Sequence, residues 1–199
     1  MSSPSFIDAP TATPEAQALF DADEADRGFV MNLSRVWAHQ PATRQGFVDL
    51  QGQCVQAGAL TLRQRAIIVT ACASTLGDSY CSLAWGATLV QEADAEITAA
   101  VLRGDDGPLD DAERALARWV RQMVRDPNAT TAADVQSLRD AGFEDAQIFA
   151  LTVFAGLRLA FSTINGALGV QPDPGLIPAL PPEVRDAVTY GRPVTAPTP

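Results

Sequence analysis

The chain has 199 residues, of which 47% are hydrophobic and 19% are charged, which is the balance of a globular protein rather than a disordered one. A formal net charge of -10 argues against a nucleic-acid groove and against attraction to an anionic membrane surface. With one histidine, His39, and three cysteines, Cys54, Cys72 and Cys81, we expect no metal or cofactor and reduced thiols in a cytoplasm.

The first 15 residues do not have the pattern of a secretory signal, and a series of helices is expected to follow them. Residues 1–15 have neither a basic start nor an apolar stretch, so they are not a secretory signal. Thr13, followed by proline, predicts the N-cap of a helix that extends to about Arg27. Periodicity predicts two more helices, over residues 33–38 and 42–57. No apolar run approaches the roughly 20 residues of a membrane-spanning helix.

Two apolar helices follow, joined at Gly77. Thr61 predicts the N-cap of the first, over residues 62–76, which is rich in Ala, Ile and Val and is therefore expected to be buried on most sides. Gly77 ends this helix, and Asp78 predicts the N-cap of the next, which carries Tyr80.

The second half of the chain alternates turns with helices. Helices are predicted over residues 95–102, 111–125, 132–142 and 144–168. Asp110 and Glu113 are expected to form a capping pair for the second of these. Its four arginines lie off the apolar stripe, which predicts a solvated face, with a basic docking strip as the alternative; they are Arg114, Arg118, Arg121 and Arg125.

The composition changes from Gln171 onward, and eight of the 14 prolines lie in residues 172–199. Such a segment does not form a packed helical bundle, and at most two helical turns are expected between Pro182 and Tyr190. We expect this tail to wrap over the domain or over a neighbouring subunit, with a proline-motif ligand as the less favoured alternative. The predicted division is an N-terminal helical segment 1–27, a helical domain 28–170 and a Pro-rich tail 171–199.

Six short segments keep a characteristic order and spacing. They are Gly28–Leu33, Leu60–Arg65, Gly77–Cys81, Thr130–Val135, Leu138–Gly142 and Ile164–Val170. Together they resemble the alkylhydroperoxidase AhpD / carboxymuconolactone decarboxylase family over roughly residues 28–174. The resemblance implies an all-α, AhpD-like helical bundle that assembles into dimers, trimers or hexamers.

The resemblance also shows which catalytic residues have changed. AhpD-type peroxidases reduce hydroperoxides with a Cys-x-x-Cys pair, a glutamate on the preceding helix and a histidine one turn after the second cysteine. Here Asp78 stands at the first cysteine position, and Cys81 retains the second. Trp85 stands at the histidine position and Ala66 at the glutamate position. The decarboxylase branch relies on the same histidine, so its absence here also weakens an assignment to that branch.

Three functional hypotheses follow. The first is one-cysteine hydroperoxide reduction through Cys81, whose place in a first helical turn favours a thiolate, although Asp78 adds a like charge. The second is a cofactor-free enzyme that acts on a small organic acid, with Asp78 and Tyr80 as acid/base groups. The third is a non-catalytic oligomeric binding protein, in which Asp78 is only a cap, Tyr80 and Trp85 are core aromatics and Cys81 is a small buried side chain.

Two further side chains receive structural interpretations. His39 closes a helix before a proline and is expected to act as a C-terminal cap rather than in catalysis. Arg158 interrupts an apolar run and is expected to pair with an acid across the core or a subunit interface, with an anionic ligand as the alternative. Cys54 and Cys72 are most simply core residues.

Overall fold

A computed structural model describes residues 4–11 and 13–195, and every regular element within these ranges is helical. The α-helices are α1 (Pro14–Arg27), α2 (Asn32–Trp37), α3 (Pro41–Ala57), α4 (Leu62–Leu76), α5 (Ser79–Glu92), α6 (Ala95–Arg103), α7 (Asp111–Arg125), α8 (Ala132–Asp140), α9 (Asp145–Ala167) and α10 (Pro182–Ala187). Short 3-10 helices cover Pro127–Ala129 and Pro174–Ala179. The predicted all-α class is confirmed.

Local capping explains most of the helix starts. The Thr61 hydroxyl accepts a hydrogen bond from the Gln64 amide at 3.1 Å, and the Gln64 side chain accepts one from the Thr61 amide at 3.0 Å. Asp110 accepts from the Glu113 amide at 2.8 Å, but the Glu113 carboxylate binds Arg63 instead of returning to Asp110. The expected reciprocal pair at the start of α7 is therefore a simple N-cap.

Helix α4 lies at the centre of the bundle. It packs against α5, α6, α7 and α9, and residues 66–73 are all buried. Because neighbours surround it on most sides, its sequence is apolar nearly all round, as predicted.

Helix α9 corrects the expectation that no segment is long and apolar enough to span a membrane. It has 23 residues, and the mean hydropathy of its most apolar window is 1.5. It packs against α3 and α4, however, and 44% of that window is buried inside the molecule. These contacts are those of a core helix.

The prediction of a solvated arginine face on α7 holds for Arg118 and Arg125, which are exposed, but is wrong for Arg121. The Arg121 side chain is 4% exposed and forms an ion pair with Asp106 at 2.8 Å. It also donates to the carbonyl of Val101 at 2.7 Å, and to the side chains of Ser74 and Thr75 at 3.0 Å each. One buried guanidinium thus joins α4, α6 and α7.

The tail lies over the chain's own helices, the first of the two arrangements expected from its composition. Helix α10 packs against α6, and the Ser79 hydroxyl at the start of α5 donates to the Arg192 carbonyl at 2.7 Å. The N-terminal segment joins the tail, because the amide of Gln171 donates to the carbonyl of Pro4 at 2.9 Å. The amide of Phe6 donates to the Leu168 carbonyl at 2.8 Å, and Arg192 donates to the Gly166 carbonyl at 3.1 Å. The N-terminal segment and the tail therefore both contact the C-terminal end of α9.

Candidate active site

The junction between α4 and α5 places Asp78 at the start of α5. Gly77 ends α4 in the left-handed conformation with φ +79°. Asp78 then acts as the N-cap of α5, as predicted, and its Oδ1 accepts from the Cys81 amide at 3.2 Å. The other carboxylate oxygen, Oδ2, is buried without a hydrogen-bond partner among the described residues. One oxygen of Asp78 is therefore structural and the other is unengaged.

Cys81 lies in a buried polar cluster between α5 and α9. Its side chain is 2% exposed, and Nη2 of Arg158 donates to its Sγ at 3.5 Å. Burial raises the pKa of Cys81 from 9.0 to about 12, and the neighbouring Asp78 carboxylate acts in the same direction. Arg158 and the Ser162 hydroxyl interact with the thiol and lower its pKa, but less strongly. Cys81 is therefore a neutral thiol at rest.

Among the described residues, Arg158 has no acidic partner across the core, so one of the two pairings expected from the sequence is wrong, and pairing across a subunit interface stays a prediction. Arg158 is 7% exposed, its Nη1 donates to Gln51 at 3.3 Å, and its Nε has no partner among the described residues. Its guanidinium carbon lies 5.3 Å from the centre of the Trp85 ring and 5.1 Å from that of Phe161. No carboxylate of the described residues forms an ion pair with it. The charge is thus held by two aromatic faces, an amide and a thiol.

The other two cysteines differ in their relation to this cluster. Cys72 on α4 is buried, and its burial raises its pKa to about 12, against a smaller lowering by the charge of Arg158. Cys54 on α3 is only partly buried. All three thiols are free. The positive charge of Arg158 thus acts on the Cys72 thiol as well as on the Cys81 thiol.

Tyr80 has a different environment from Asp78 and Cys81. Its hydroxyl donates to the Asp173 carboxylate in the tail, and that carboxylate also accepts from the Asn32 amide at 3.0 Å. Burial raises the pKa of Tyr80 well above its ordinary value. These contacts join the tail to α5 and α2. Tyr80 is not among the residues that line the cavity of about 410 Å³ beside Asp78.

His39 also lies outside that cavity. Its Nε2 makes a 2.9 Å hydrogen bond with the carbonyl of Asp8, so the exposed ring holds the N-terminal segment. Of the residues singled out from the sequence, the structure thus brings together Asp78, Cys81, Arg158 and Trp85. Neither Tyr80 nor His39 joins them. Among the described residues, no three His, Cys, Asp or Glu side chains are grouped as metal ligands.

A cavity of about 410 Å³ opens beside the cluster. Asp78 and Ser162 line it, and Cys81 lies behind them, in contact with both. The tail forms the outer wall through Gly191 and Arg192. Gly191 has φ +76°, and a Cβ there would lie 2.6 Å from the Gly77 carbonyl oxygen. Only glycine lets the tail approach the start of α5 so closely.

Three members of the site were not identified from the sequence: Ser162, Gln51 and Arg192. Ser162 had a usable signal, because it follows Arg158 by four residues and therefore shares its face of α9. Gln51 and Arg192 reach the site through tertiary contacts between α3, the tail and α9, and no local pattern indicates such contacts.

No family model matches the chain, and no curated protein is significantly similar to it. The solved structures that share its fold include two peroxidase-related proteins. An uncharacterized peroxidase-related protein from Silicibacter sp. TM1040 is 23% identical, with a TM-score of 0.76, and the match covers 86% of this chain and 93% of that chain. An alkylhydroperoxidase AhpD core, peroxidase-related protein from Ralstonia eutropha JMP134 is 20% identical, with a TM-score of 0.78, covering 88% and 96% respectively. The chain therefore has the AhpD-like fold, as its sequence predicted.

Proposed function

We propose that this protein reduces hydroperoxides through Cys81, with an external thiol as the reductant. The observation that carries the proposal is the hydrogen bond from Arg158, a buried cation with no acidic partner among the described residues, to the Cys81 sulfur. A positive charge in contact with sulfur stabilises the thiolate, which is the nucleophile toward peroxides. The same guanidinium can stabilise the negative charge that develops on the leaving oxygen.

The first half-reaction oxidises Cys81. The thiol proton passes to the unengaged oxygen of Asp78, and the thiolate attacks the terminal oxygen, the one that bears hydrogen, of the hydroperoxide. A sulfur–oxygen bond forms while the oxygen–oxygen bond breaks, and the leaving alkoxide takes the proton from Asp78. The products are an alcohol and a sulfenic acid on Cys81.

The second half-reaction returns Cys81 to the thiol. Because position 78 is not cysteine, the disulfide usual for the Cys-x-x-Cys pattern cannot form. One external thiol attacks the sulfenic sulfur and releases water, which leaves a mixed disulfide. A second external thiol then attacks this disulfide, so that Cys81 is restored and the reductant leaves as its own disulfide.

The burial of Cys81 sets the conditions for this chemistry. The resting thiol is neutral, and Asp78 and Ser162 separate it from the cavity. The hydroperoxide enters the cavity and reaches Cys81 when these two side chains rotate. Ionisation then occurs beside Arg158, in a site from which bulk water is largely excluded.

The test is consumption of cumene hydroperoxide in the presence of excess dithiothreitol. Activity is expected in the wild type and in Cys54→Ser, a matched control whose thiol lies outside the cluster, and it is expected to vanish in Cys81→Ser. Equal activity in Cys81→Ser and the wild type would exclude this role of Cys81.

A second candidate is acid–base catalysis by Asp78 on a small organic acid. It is favoured by the unengaged Oδ2 atom of Asp78, a residue that lines the cavity. Tyr80 gives this candidate no support, since its hydroxyl is bound to Asp173. Turnover that survives Cys81→Ser and is lost in Asp78→Asn would identify it.

We also propose that the chain is a divergent member of the AhpD / carboxymuconolactone decarboxylase family that works in the cytoplasm as a homo-oligomer. Exposed apolar side chains on α3 and α9 support self-association: Val48, Leu50 and Phe149. Phe149 is 72% exposed. Analytical ultracentrifugation of the wild type should show an oligomer that dissociates in Phe149→Asp; a monomeric wild type would contradict the proposal.

A further inference from the structure

The two charged side chains that line the cavity beside Cys81 are held on different helices, Asp78 at the start of α5 and the Arg192 guanidinium against the Gly166 carbonyl of α9. Of the described residues that line this cavity, only these two carry a formal charge. Asp78 belongs to α5 and adjoins Cys81, whereas Arg192 belongs to the tail. The lining also includes the apolar side chains of Leu76, Ala167 and Val170.

Arg192 carries a charge that the described residues leave without an acidic partner. Its Nη2 donates to the carbonyl of Gly166 at 3.1 Å, and its guanidinium carbon lies 4.6 Å from the centre of the Phe6 ring. These contacts hold the guanidinium at the end of α9 and use one of its five N–H groups. The remaining donors are suited to a planar oxyanion, since a guanidinium binds a carboxylate through two parallel hydrogen bonds.

The cavity is large enough for a small amphiphile. Its 410 Å³ lies within the range of roughly 300–1,000 Å³ that is typical of small-molecule sites. Leu76, Ala167 and Val170 offer apolar surface to a hydrocarbon chain, and a negative group is repelled by Asp78 and attracted by Arg192. A ligand with one anionic head is therefore expected to bind with that head at Arg192 and away from Asp78.

We propose that the cavity selects organic hydroperoxides that carry a carboxylate on an apolar chain, and that Arg192 is the specificity-determining residue. This inference rests on the proposed peroxidase function. The carboxylate binds Arg192 while the peroxide group lies beside Ser162 and Asp78, within reach of Cys81.

The kinetic test compares linoleic acid hydroperoxide with its methyl ester, a pair that differs in the head-group charge. In the wild type, kcat/KM for the acid should exceed that for the ester by about tenfold or more, the loss expected for one charge-assisted hydrogen bond. Arg192→Gln should remove this preference by raising KM for the acid alone, and Arg192→Lys should keep part of it. Arg185→Gln, which changes an exposed arginine of α10, is the matched control and should retain the preference.

The alternative is that Arg192 only fastens the tail to the end of α9 through Gly166. In that case Arg192→Gln lowers the rates for the acid and the ester together. Equal kcat/KM for the two substrates in the wild type, or a joint decrease in the variant, would overturn the inference and leave the role of Cys81 intact.

A binding measurement separates this inference from the peroxidase proposal. Calorimetric titration of Cys81→Ser with decanoate and with decanol requires no turnover. Decanoate should bind more tightly than decanol, and the difference should disappear when Arg192→Gln is added to Cys81→Ser. If Cys81→Ser binds decanoate in a charge-dependent way while the wild type shows no peroxidase activity, the anion site is supported and the peroxidase is refuted. Peroxidase activity without preferential decanoate binding would refute the anion site.

Discussion

Two buried arginines, Arg121 on α7 and Arg158 on α9, show how the same side chain serves different purposes in one small fold. Arg121 is 4% exposed and Arg158 is 7% exposed, so both charges are removed from water. Arg121 has a carboxylate, Asp106, and additional carbonyl and hydroxyl acceptors. Arg158 has the thiol of Cys81, the amide of Gln51 and two aromatic faces, and its Nε has no partner among the described residues.

The difference indicates which charge stabilises the fold and which is available for chemistry. A buried ion pair that is fully hydrogen-bonded resists the removal of either partner. A buried cation that faces a neutral thiol instead favours any step in which that thiol, or a bound group, becomes negative. We therefore expect substitutions of Arg121 to act on stability and those of Arg158 to act on rate.

The largest effect on stability is expected for Arg121→Met. It leaves the mostly buried Asp106 carboxylate without its partner, which should lower the free energy of unfolding by about 3–5 kcal/mol. Urea unfolding followed by circular dichroism measures this loss. A decrease below about 1 kcal/mol would mean that Asp106 finds water or another donor, and the contrast between the two arginines would weaken.

Arg158→Met is expected to produce the opposite pattern. Methionine fills similar space and removes an uncompensated buried charge, so stability should change by no more than about 1 kcal/mol. Peroxide reduction should fall by about a hundredfold, as for the loss of one preorganised donor to a developing anion. Steady-state kinetics measure the rate of peroxide reduction, and urea unfolding of the same preparation measures the stability. Full activity in Arg158→Met would remove the central support of the proposed function.

The thiols near Arg158 should make stability depend on alkaline pH. Burial raises the pKa values of Cys72 and Cys81 from 9.0 to about 12, so the unfolded chain loses these protons at lower pH than the folded chain. The stabilisation is fully present below pH 9 and is lost as the pH rises toward 12, by at most about 1.4 kcal/mol per pH unit for each thiol. Between pH 8 and roughly 11, the free energy of unfolding should fall less steeply with rising pH in Cys72→Ala than in the wild type. An unchanged slope would contradict a buried, neutral Cys72.

The smallest effect on stability and rate together is expected for Tyr80→Phe. This variant tests whether Tyr80, like Arg121, contributes to the stability of the fold and not to catalysis. The substitution removes one hydrogen bond to Asp173 and should lower the stability by about 1–2 kcal/mol. The peroxidase kcat should not change, since the Tyr80 hydroxyl does not line the cavity. A large loss of kcat with normal folding would show instead that the Tyr80 hydroxyl acts in catalysis.

Sequence patterns predicted the fold well because helix boundaries depend on local chemistry. Thr61, Gly77 and Asp78 act as caps in the structure through contacts no more than a few residues away. The same local reasoning misassigned Arg121, because its partner Asp106 lies in a loop that folds back onto α7. Periodicity identifies the side of a helix but not the neighbour that covers it.

The candidate site was predictable only in part, for a similar reason. Asp78 and Cys81 share one helical turn, so their proximity follows from the sequence. The approach of Arg158 to Cys81 joins residues 77 positions apart, and Arg192 reaches the cavity only because the tail returns to α5. Such contacts depend on the packing of whole helices and cannot be read from spacing.

The central claim is that hydroperoxides oxidise the sulfur atom of Cys81. It is tested most directly by treating folded protein carrying Cys54→Ala and Cys72→Ala with cumene hydroperoxide and dimedone, a trap for sulfenic acids. Mass spectrometry should then find the dimedone adduct on Cys81, and the adduct should decrease sharply when Arg158→Met is added. An unmodified Cys81 in the folded protein, with the adduct formed only after unfolding, would show that this thiol is core packing and contradict the proposed function.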